Sequence, residues 1–262
     1  MTLPSITVIT PSLNGESTIQ QTIDSVRAQR YDGPLEHIVV DGGSSDGTLE
    51  IVRAAGLRYV SEPDRGLSDA LNKGLQMATG EVFGELNADD VYLPGALDRV
   101  GRAFSSSPGA EWVTGRCQIV DGAGRPIRGV VTRYKDLLLR RHSFRLHLVQ
   151  NYISAPATFA RTDVVRELGG FDERFRYSMD YDLWLRLGRR GDPVVIPEPI
   201  AAFRMAGDSL SLTGFERQFA EHAQNAREHG SGHRVAVALN GLSSKGIVAA
   251  YRLARLRRGR SR

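Results

Sequence analysis

The chain has 262 residues, of which 41% are hydrophobic and 24% are charged, and its formal net charge is +4. This length and composition are those of a folded protein with a sizeable core, and they exclude a disordered or fibrous chain. Residues 252–262 contain six arginines and no acidic residue, which leaves residues 1–251 with a net charge of −2. A body so close to neutral excludes nucleic acid as the main partner, because nucleic-acid binding requires a basic face.

The sequence also bears on the cellular compartment. No apolar run approaches the 18 or more residues of a spanning helix, and the N-terminus does not resemble a signal peptide. Cys117 is the only cysteine, so an internal disulfide is excluded. We expect a cytoplasmic protein. Its arginine-rich end is either a solvated terminus or a contact for anionic lipid headgroups, which would place it peripherally on the inner face of the cell membrane.

Strand and helix patterns alternate through the first 115 residues. Short apolar runs predict buried strands at residues 6–10, 37–40, 58–60 and 82–86. Helical periodicity predicts helices at 17–29, 48–55, 67–78 and 94–104, followed by a strand at 112–114. This alternation predicts an α/β fold with a mostly parallel, Rossmann-like central sheet flanked by helices.

The pattern changes after residue 115. Residues 121–124 (DGAG) predict a hairpin turn between strands at 117–120 and 127–131, and a further strand is expected at 156–160. Helices are expected at 180–190, 215–229 and 247–257. We expect three regions, residues 1–115, 116–211 and 212–262, of which the first two share one sheet.

Two polar segments follow the first two predicted strands. Residues 9–16 (ITPSLNGE) have a backbone suited to line a pocket for a flat ring, or they form an ordinary turn in which Asn14 or Ser17 caps the next helix. In VVDGGSSDGT, Asp41 ends a strand and is an acceptor suited to an imide N–H or a ribose hydroxyl. The glycines after it allow close approach to an anion, or they form a turn with Asp46 as the helix cap.

Two more segments carry charge at helix or strand ends. Arg65 precedes a helix and is placed to contact a base or a phosphate. Asp69, Asn72 and Lys73 share a helix face that is either functional or solvated. In Asn87-Ala88-Asp89-Asp90, two carboxylates follow a buried strand. They either bind a divalent cation or begin a turn.

A final segment, YSMDYDLWLRL, begins the helix predicted at residue 180. Asp180 lies on the apolar stripe of this helix, whereas Asp182 is expected to form a surface pair with Arg186. A carboxylate in the first turn above an apolar face is partly desolvated and is favoured by the helix dipole. Such an environment suits a general base, although Asp180 is also a candidate for a simple helix cap.

Together these segments resemble family 2 glycosyltransferases with the GT-A fold. The resemblance covers most of residues 5–211 and rests on seven motifs in order: PSLNGE, VVDGGSSDGT, PDRGLSDALNKG, LNADDVYLPGAL, NYISAPATF, GGFDERFRYSMDYDLWLRL and FRMAGDSLS. The last three most resemble bacterial enzymes that build surface polysaccharide or lipid-linked glycans.

The resemblance implies a role for each motif. A nucleotide-sugar donor, with a UDP-sugar favoured, would be bound by Pro11, Leu13, Glu16, Asp41, Arg65, Asp69, Asn87, Ala88 and Asp89. A Mg²⁺ or Mn²⁺ ion would contact Asp89, with Asp90 as its neighbour. Asp180 would be the catalytic base of an inverting displacement by a hydroxyl of a glycan or lipid-linked acceptor. Residues 1–115 would then bind the donor and residues 116–211 the acceptor, and residues 212–262 would form a helical region with the basic tail.

The sequence departs from the family pattern at three positions. Asn87 replaces the first aspartate of the DxD motif, Met179 replaces the acidic neighbour of Asp180, and Ala206 stands where many relatives carry a histidine near the metal. These departures leave open a non-catalytic relative with the same fold. A sugar nucleotidyltransferase is disfavoured, since no basic residue precedes Arg27 in the loop after the first strand.

Overall fold

The computed structural model describes residues 2–205 and 214–259, with side chains up to residue 249. The strands are β1 (Ile6–Ser12), β2 (Leu35–Asp41), β3 (Arg58–Ser61), β4 (Val82–Glu85), β5 (Val91–Tyr92), β6 (Trp112–Val120), β7 (Thr158–Arg161) and β8 (Val194–Arg204). The helices are α1 (Ile19–Arg27), α2 (Thr48–Ala54), α3 (Leu67–Met77), α4 (Ala96–Ser106), α5 (Gly129–Arg140), α6 (Phe144–Val149), α7 (Thr162–Glu167), α8 (Met179–Gly188), α9 (Phe215–His229) and α10 (Arg234–Gly259).

The strands of the described ranges form one eight-stranded sheet in the order β3-β2-β1-β4-β7-β6-β8-β5. Strands β1 to β4 are parallel, β7 is antiparallel to β4 and β6, and β8 is parallel to β6. The predicted α/β fold with a mostly parallel sheet is therefore confirmed. Because β6 crosses the boundary expected between residues 115 and 116, the first two regions share this sheet.

Strand β1 lies inside the sheet, between β2 and β4, and all seven of its residues are buried. A parallel strand covered on both faces needs side chains that can be buried on both, which explains why β1 (ITVITPS) contains no charged residue. On one face Ile9 packs in the same core as Leu71 of α3, and on the other Val8 packs in the same core as Val100 of α4. Gly74 allows α3 to approach this closely, since a Cβ atom there would overlap Cγ2 of Ile9.

The sheet topology brings several chain segments to one edge. Strands β1, β2, β3 and β4 all end there, and β6 and β8 end there too, because β7 is antiparallel to both β4 and β6. In open α/β sheets, ligands bind beyond the carboxyl ends of the parallel strands. The polar segments found in the sequence therefore gather at one place.

One predicted strand is wrong, and one long strand is missing from the prediction. Residues 127–131 do not form a strand, since only a bridge between Val120 and Pro126 closes the turn and α5 begins at Gly129. Strand β7 pairs with β6 only at Trp112–Thr114, so the far end of β6 keeps an open edge, where the N–H of Ile127 donates to the carbonyl group of Ile119 (2.8 Å). The pairing ends there because Arg128 has a left-handed conformation (φ 53°) and the chain then enters α5. The long strand β8 was not predicted, because Pro197 and Pro199 interrupt its apolar run.

The helices at the end of the chain pack against α6 and α8. Asn240 of α10 donates hydrogen bonds to the carbonyl groups of Leu148 (3.0 Å) and Val149 (3.2 Å) in α6. Helix α9 matches its prediction, whereas α10 begins at Arg234, 13 residues before the predicted start, because glycines and serines mask its periodicity. Within the described residues, no helix has the length and apolar character needed to cross a membrane.

Asp182 connects α8 to α9. It is 2% exposed, so the surface pair predicted for it is wrong. Its Oδ2 accepts a hydrogen bond from Nε of Arg186 (2.8 Å), and its Oδ1 lies 2.7 Å from Nε2 of His229. Arg186 also donates to the carbonyl group of Leu168 (2.9 Å). Helix α9 covers this face of α8, which the spacing within α8 alone does not reveal.

Replacing Asp182 with alanine is expected to destabilise the fold by about 3–5 kcal/mol, because Arg186, whose side chain is only 17% exposed, keeps its charge without its carboxylate. Urea unfolding followed by circular dichroism measures this loss. The matched control is Asp98→Ala, which removes the exposed Asp98–Arg102 pair of α4 (2.8 Å) and should cost less than about 1 kcal/mol. Equal losses in the two variants would contradict the buried role of Asp182.

Candidate active site

Three loops meet at the carboxyl edge of the sheet, after β1, β2 and β4. Asn14 joins the first two, since its side-chain oxygen accepts from the N–H of Ser45 (2.9 Å) and its own N–H donates to Oγ of Ser44 (2.8 Å). Asn14 has a φ of 52°, a left-handed conformation that asparagine tolerates. A Cβ atom on Gly15 would lie 3.3 Å from that of Ala88, so the third loop packs against the first.

Asp41 is completely buried at the end of β2, and both of its carboxylate oxygens bond within the protein. Oδ2 accepts from the N–H groups of Gly43 (3.1 Å) and Ser44 (3.0 Å) and from the hydroxyl of Ser61 (2.7 Å). Oδ1 accepts from the hydroxyl of Ser44. Asp41 therefore fixes the turn after β2. The contact between Asp41 and a nucleotide base stays a prediction. Such a contact requires one of these hydrogen bonds to be replaced by a bond to the base.

Leu13 presents an apolar surface beside this turn. Its side chain is 60% exposed, although it follows a fully buried strand that contains Pro11. A Cβ atom on Gly42 would overlap the carboxylate of Asp64 and lie 3.6 Å from Cδ1 of Leu13. Glu16 is exposed nearby, and its Oε2 accepts from the N–H of Gly47 (3.1 Å). The exposed side chain of Leu13 is thus an apolar surface suited to a flat ring, whereas the carboxylate of Asp64 covers Gly42.

Arg65 lies at the start of α3 with its side chain 74% exposed. Its Nη2 is 3.0 Å from a carboxylate oxygen of Asp69 and 3.0 Å from one of Glu173. Hydrogen bonds from Arg65 lower the pKa of Asp69 to about 2. Asp69 is buried, and Asn72 bonds the backbone of Phe171, so much of the predicted face makes contacts within the protein. The exposed guanidinium of Arg65 remains accessible to an anionic ligand.

The loop after β4 is held by Arg204, the last residue of β8. Nε of Arg204 donates to the carbonyl oxygen of Asp89 (2.9 Å), and its N–H donates to Oδ1 of Asp90 (2.8 Å). The side-chain amide of Asn87 approaches the other oxygen of Asp90 (3.4 Å). Asp90 is completely buried, while Asp89 is half-buried. Asp89 is therefore the more accessible of the two carboxylates.

Carboxyl groups accumulate at this edge of the sheet. Glu85 ends β4 and is 4% exposed; its burial, with the charges of Asp180 and Asp90, raises its pKa to about 8. Burial and the neighbouring Asp89 also raise the pKa of Asp90 well above its usual range, although Arg204 opposes this effect. Glu85 is thus largely protonated at neutral pH, and the edge has an affinity for positive charge.

Asp180 reaches the same space from the first turn of α8. It is half-buried, and its Oδ1 accepts from the N–H of Tyr181 (2.7 Å). Burial raises its pKa, while Lys135 and a hydrogen bond from Asn151 act in the opposite direction. Nζ of Lys135 donates to Oγ of Ser154 (2.8 Å), and burial lowers the pKa of this amine. A partly desolvated carboxylate of this kind is suited to accept a proton near neutral pH.

Helix α9 fixes the residues that precede Asp180. Oε2 of Glu221 accepts from the N–H of Tyr177 (2.7 Å) and from the hydroxyl of Ser178 (3.2 Å). Asn225, which is completely buried, donates to the carbonyl oxygen of Ser178 (3.1 Å). The position of Asp180 therefore depends on a helix that is distant in sequence.

The residues at the end of β4 fit a divalent cation that arrives with a phosphorylated ligand. Within the described ranges, no group of three or more His, Cys, Asp or Glu side chains is arranged to hold a metal alone. Mg²⁺, however, is usually bound by one or two carboxylates together with substrate phosphates. Asp89 offers one such carboxylate at the negatively charged edge. Ala206, the position at which a histidine was expected, lies outside the described residues.

Three residues of the site were missed in the sequence: Glu85, Lys135 and Arg204. Glu85 could have been found, because a charged residue inside the apolar run of β4 is unusual and points to a functional site. Lys135 and Arg204 gave no such signal, since each is one basic residue among 34 in the chain.

Comparisons with known proteins agree with this architecture. The model of the family described as "Glycosyl transferase family 2" matches residues 7–168. An uncharacterised glycosyltransferase of Mycobacterium tuberculosis is 33% identical over 211 residues, which cover 78% of this chain and 76% of that protein. An uncharacterised glycosyltransferase of Rickettsia typhi is 29% identical over 192 residues, which cover 71% of this chain and 59% of that protein.

Two solved structures share the GT-A fold. S. aureus TarS 1–349 in complex with UDP-GlcNAc has a TM-score of 0.65 at 17% identity, with 84% of this chain and 66% of that chain covered. Mannosyltransferase PcManGT from Pyrobaculum calidifontis, in complex with GDP-Man and Mn²⁺, has a TM-score of 0.63 at 19% identity, with 97% of this chain and 81% of that chain covered. The predicted GT-A fold is thus confirmed.

The raised pKa of Glu85 predicts that this residue destabilises the fold as the pH rises. The folded protein binds this proton more tightly than the unfolded chain, so its contribution falls by up to about 1.4 kcal/mol per pH unit between about pH 4.5 and pH 8. Glu85→Gln removes the effect. Its melting temperature, measured in the presence of a chelator, should match that of the original protein at pH 4.5 and exceed it progressively toward pH 8.

The control for this measurement is Glu50→Gln, which neutralises an exposed glutamate of α2. Its melting temperature should follow that of the original protein at every pH. A constant offset of Glu85→Gln at all pH values would contradict the raised pKa.

Proposed function

The chain belongs to glycosyl transferase family 2, and from that membership we propose that it transfers a sugar from a nucleotide-sugar donor to an acceptor hydroxyl with inversion at the anomeric carbon. One observation carries the proposal. Asp180, a carboxylate from α8, lies within electrostatic reach of Glu85, the last residue of β4. A donor seated at this edge would have its diphosphate beside Asp89 and its sugar on the side of Asp180.

The proposed donor site follows the edge of the sheet from β2 to β4. The base would lie on Leu13 above Pro11, close to Asp41 and Glu16. The exposed apolar surface of Leu13 supports this position, since it fits a flat ring. We favour a UDP-sugar, as in the UDP-GlcNAc complex of TarS, while GDP-Man in PcManGT is the other donor to test.

The diphosphate would be bound between two loops. Arg65 would approach it from the start of α3, held in place by Asp69. On the other side lie Asn87, Ala88 and Asp89, in the loop that Arg204 fixes. This arrangement supplies one exposed cation, and a fixed guanidinium suits phosphate recognition.

We propose Mg²⁺ or Mn²⁺ as the metal cofactor, with Asp89 as its protein ligand. Asp90 would lie next to this ligand without contacting the ion directly, because its carboxylate is buried and accepts a hydrogen bond from the backbone N–H of Arg204. When bound, such an ion stabilises the negative charge of the diphosphate leaving group. Asn87, in place of an acidic residue, leaves an amide oxygen as a neutral ligand, which hard cations also accept.

In the proposed reaction, Asp180 accepts the proton of the acceptor hydroxyl. The acceptor oxygen then bonds to the anomeric carbon from the face opposite the diphosphate, which leaves with the electron pair of the broken bond. Burial raises the pKa of Asp180 toward the working pH, and Lys135 limits that rise so that the carboxylate stays available. Glu85 is largely protonated at neutral pH, so it adds no further negative charge beside Asp180.

For the acceptor, we propose only a class of molecule. We propose a glycan or lipid-linked acceptor in the assembly of bacterial surface polysaccharide or glycolipid, with the enzyme on the cytoplasmic face of the membrane. The motifs of residues 151–211 support this, since they resemble enzymes of that kind. The alternative is a non-catalytic relative that binds nucleotide sugar or acts as a scaffold, which Asn87 and Ala206 motivate.

Asp180→Asn is expected to lower the rate of sugar transfer by about 100- to 10,000-fold, because the amide cannot accept the proton. Donor affinity should change little. Product formation is measured by mass spectrometry over a panel of nucleotide sugars and acceptors, with donor affinity by calorimetry. Asp32→Asn, an exposed aspartate after α1, is the control and should keep full activity. Full turnover in Asp180→Asn would refute the base assignment.

Asp89→Ala is expected to weaken Mn²⁺-dependent donor binding by roughly tenfold or more, since the loss of even an outer-shell partner costs about 10–100-fold. Isothermal titration with UDP-GlcNAc and GDP-Man, with and without Mn²⁺, measures this change. Asp32→Ala serves as the control. Normal Mn²⁺-dependent binding in Asp89→Ala would refute the metal assignment, and absence of nucleotide binding in the original protein would leave the scaffold alternative.

A further inference from the structure

Helix α5 exposes several large apolar side chains. Ten large apolar side chains are exposed among those the structure describes, and four of them lie in residues 130–137. Val130 is 78% exposed, Tyr134 46% and Leu137 49%. Their spacing of four and then three residues places them on one side of the helix. They form a continuous stripe, here called the α5 stripe, which is Val130, Tyr134 and Leu137.

The opposite side of α5 is firmly packed. Asp136 is buried and forms an ion pair with Arg116 of β6 (2.6 Å). Leu139 lies in the main core, and Lys135 bonds Ser154. These contacts fix the rotation of the helix about its axis. The exposure of the α5 stripe therefore follows from the fold itself.

Basic residues surround the α5 stripe. Residues 122–145 contain six arginines, one lysine and one aspartate, and that aspartate is the buried Asp136. Arg133 and Arg140 are exposed, and helical spacing places both along one side of the stripe, while the exposed Arg141 directly follows the last residue of the helix. An exposed apolar stripe flanked by arginines is the composition of helices that lie in the interface of an anionic membrane.

We propose that the α5 stripe docks on an anionic lipid bilayer, with its apolar side chains among the acyl chains and its arginines against the headgroups. Charge complementarity favours a bilayer over a second copy of this chain as the partner of the α5 stripe. A second copy of this chain would bring the same arginines face to face in a two-fold interface, where they repel each other. An anionic bilayer accepts both the apolar stripe and its basic border.

This docking would orient the active site toward the membrane. The buried side of α5 carries Lys135, which lies within electrostatic reach of Asp180. A helix with its side chains is about 10–12 Å across, so the headgroups would lie about one helix diameter from this part of the site. This orientation rests on the proposed function, and it points to an acceptor hydroxyl on a membrane-anchored molecule. The docking itself does not depend on transferase activity.

Sedimentation with vesicles tests the proposal on the full-length protein. The protein should bind vesicles that mix phosphatidylcholine with phosphatidylglycerol, and it should bind pure phosphatidylcholine much less. Leu137→Ser should weaken binding roughly tenfold, since it removes one large apolar side chain from the interface. The matched control is Leu35→Ser, because Leu35 is 37% exposed at the start of β2, away from the carboxyl edge.

A second pair of variants tests the charges. Arg140→Gln combined with Arg141→Gln should weaken binding by roughly twentyfold and reduce its dependence on salt. Arg99→Gln combined with Arg102→Gln removes the same charge from α4 and should bind as the original protein does. Melting temperatures and donor titrations confirm that each variant is folded and keeps its nucleotide site.

Three outcomes would overturn the proposal. The first is unchanged vesicle binding in both α5 variants. The second is binding that is lost only when Arg255, Arg257 and Arg258 of the basic tail are replaced by glutamine. The third is a dimer in analytical ultracentrifugation that Leu137→Ser converts to a monomer, since the stripe would then join two copies. Vesicle binding as expected, in a protein that binds no nucleotide sugar, would reject the proposed function and leave the docking surface intact.

Discussion

Arg204 makes the contact on which the rest of the site depends. At the end of β8 it holds the loop after β4 through the carbonyl oxygen of Asp89 and the carboxylate of Asp90. It also donates to the carbonyl oxygen of Gly122 (2.6 Å) and to Oε1 of Gln21 (2.7 Å), in the turn after β6 and in α1. One guanidinium thereby connects both halves of the sheet at the edge where the strands end. Without it, the repulsion between two adjacent aspartates would lose the positive charge that opposes it.

The same edge has more carboxyl groups than its basic residues neutralise, so some of these groups hold a proton. Glu85 and Asp90 are buried with raised pKa values, and Asp180 shares their surroundings. This arrangement destabilises the empty protein, as functional sites often do. It also prepares the edge for a ligand that carries a cation. One charge distribution thus has two effects in our account. It lowers the stability of the empty protein through Glu85, and it gives the edge an affinity for a metal-bound diphosphate.

Much of this fold was predictable from the sequence, because buried parallel strands and amphipathic helices leave periodic patterns. Residues 6–10 and 215–229 are examples in which pattern and structure agree. What could not be predicted depends on contacts between distant segments. The prolines of β8 interrupt its apolar pattern, and the strand is recognisable only through its pairing with β6. The ion pair of Asp182 is buried because α9 covers it, and the sequence does not specify where α9 packs. In the candidate site, Asp89 and Asp180 were identifiable by motif, whereas Lys135 and Arg204 were defined only by three-dimensional proximity.

The central claim is that the carboxyl edge of the sheet binds a nucleotide sugar between Asp89 and Asp180. A crystal structure of the protein with UDP-GlcNAc or GDP-Man and Mn²⁺ tests it most directly. Our account predicts that the diphosphate and metal lie beside Asp89, with the anomeric carbon open to attack from the side of Asp180. A nucleotide sugar bound at another face of the sheet, or one with its anomeric carbon turned away from Asp180, would contradict it.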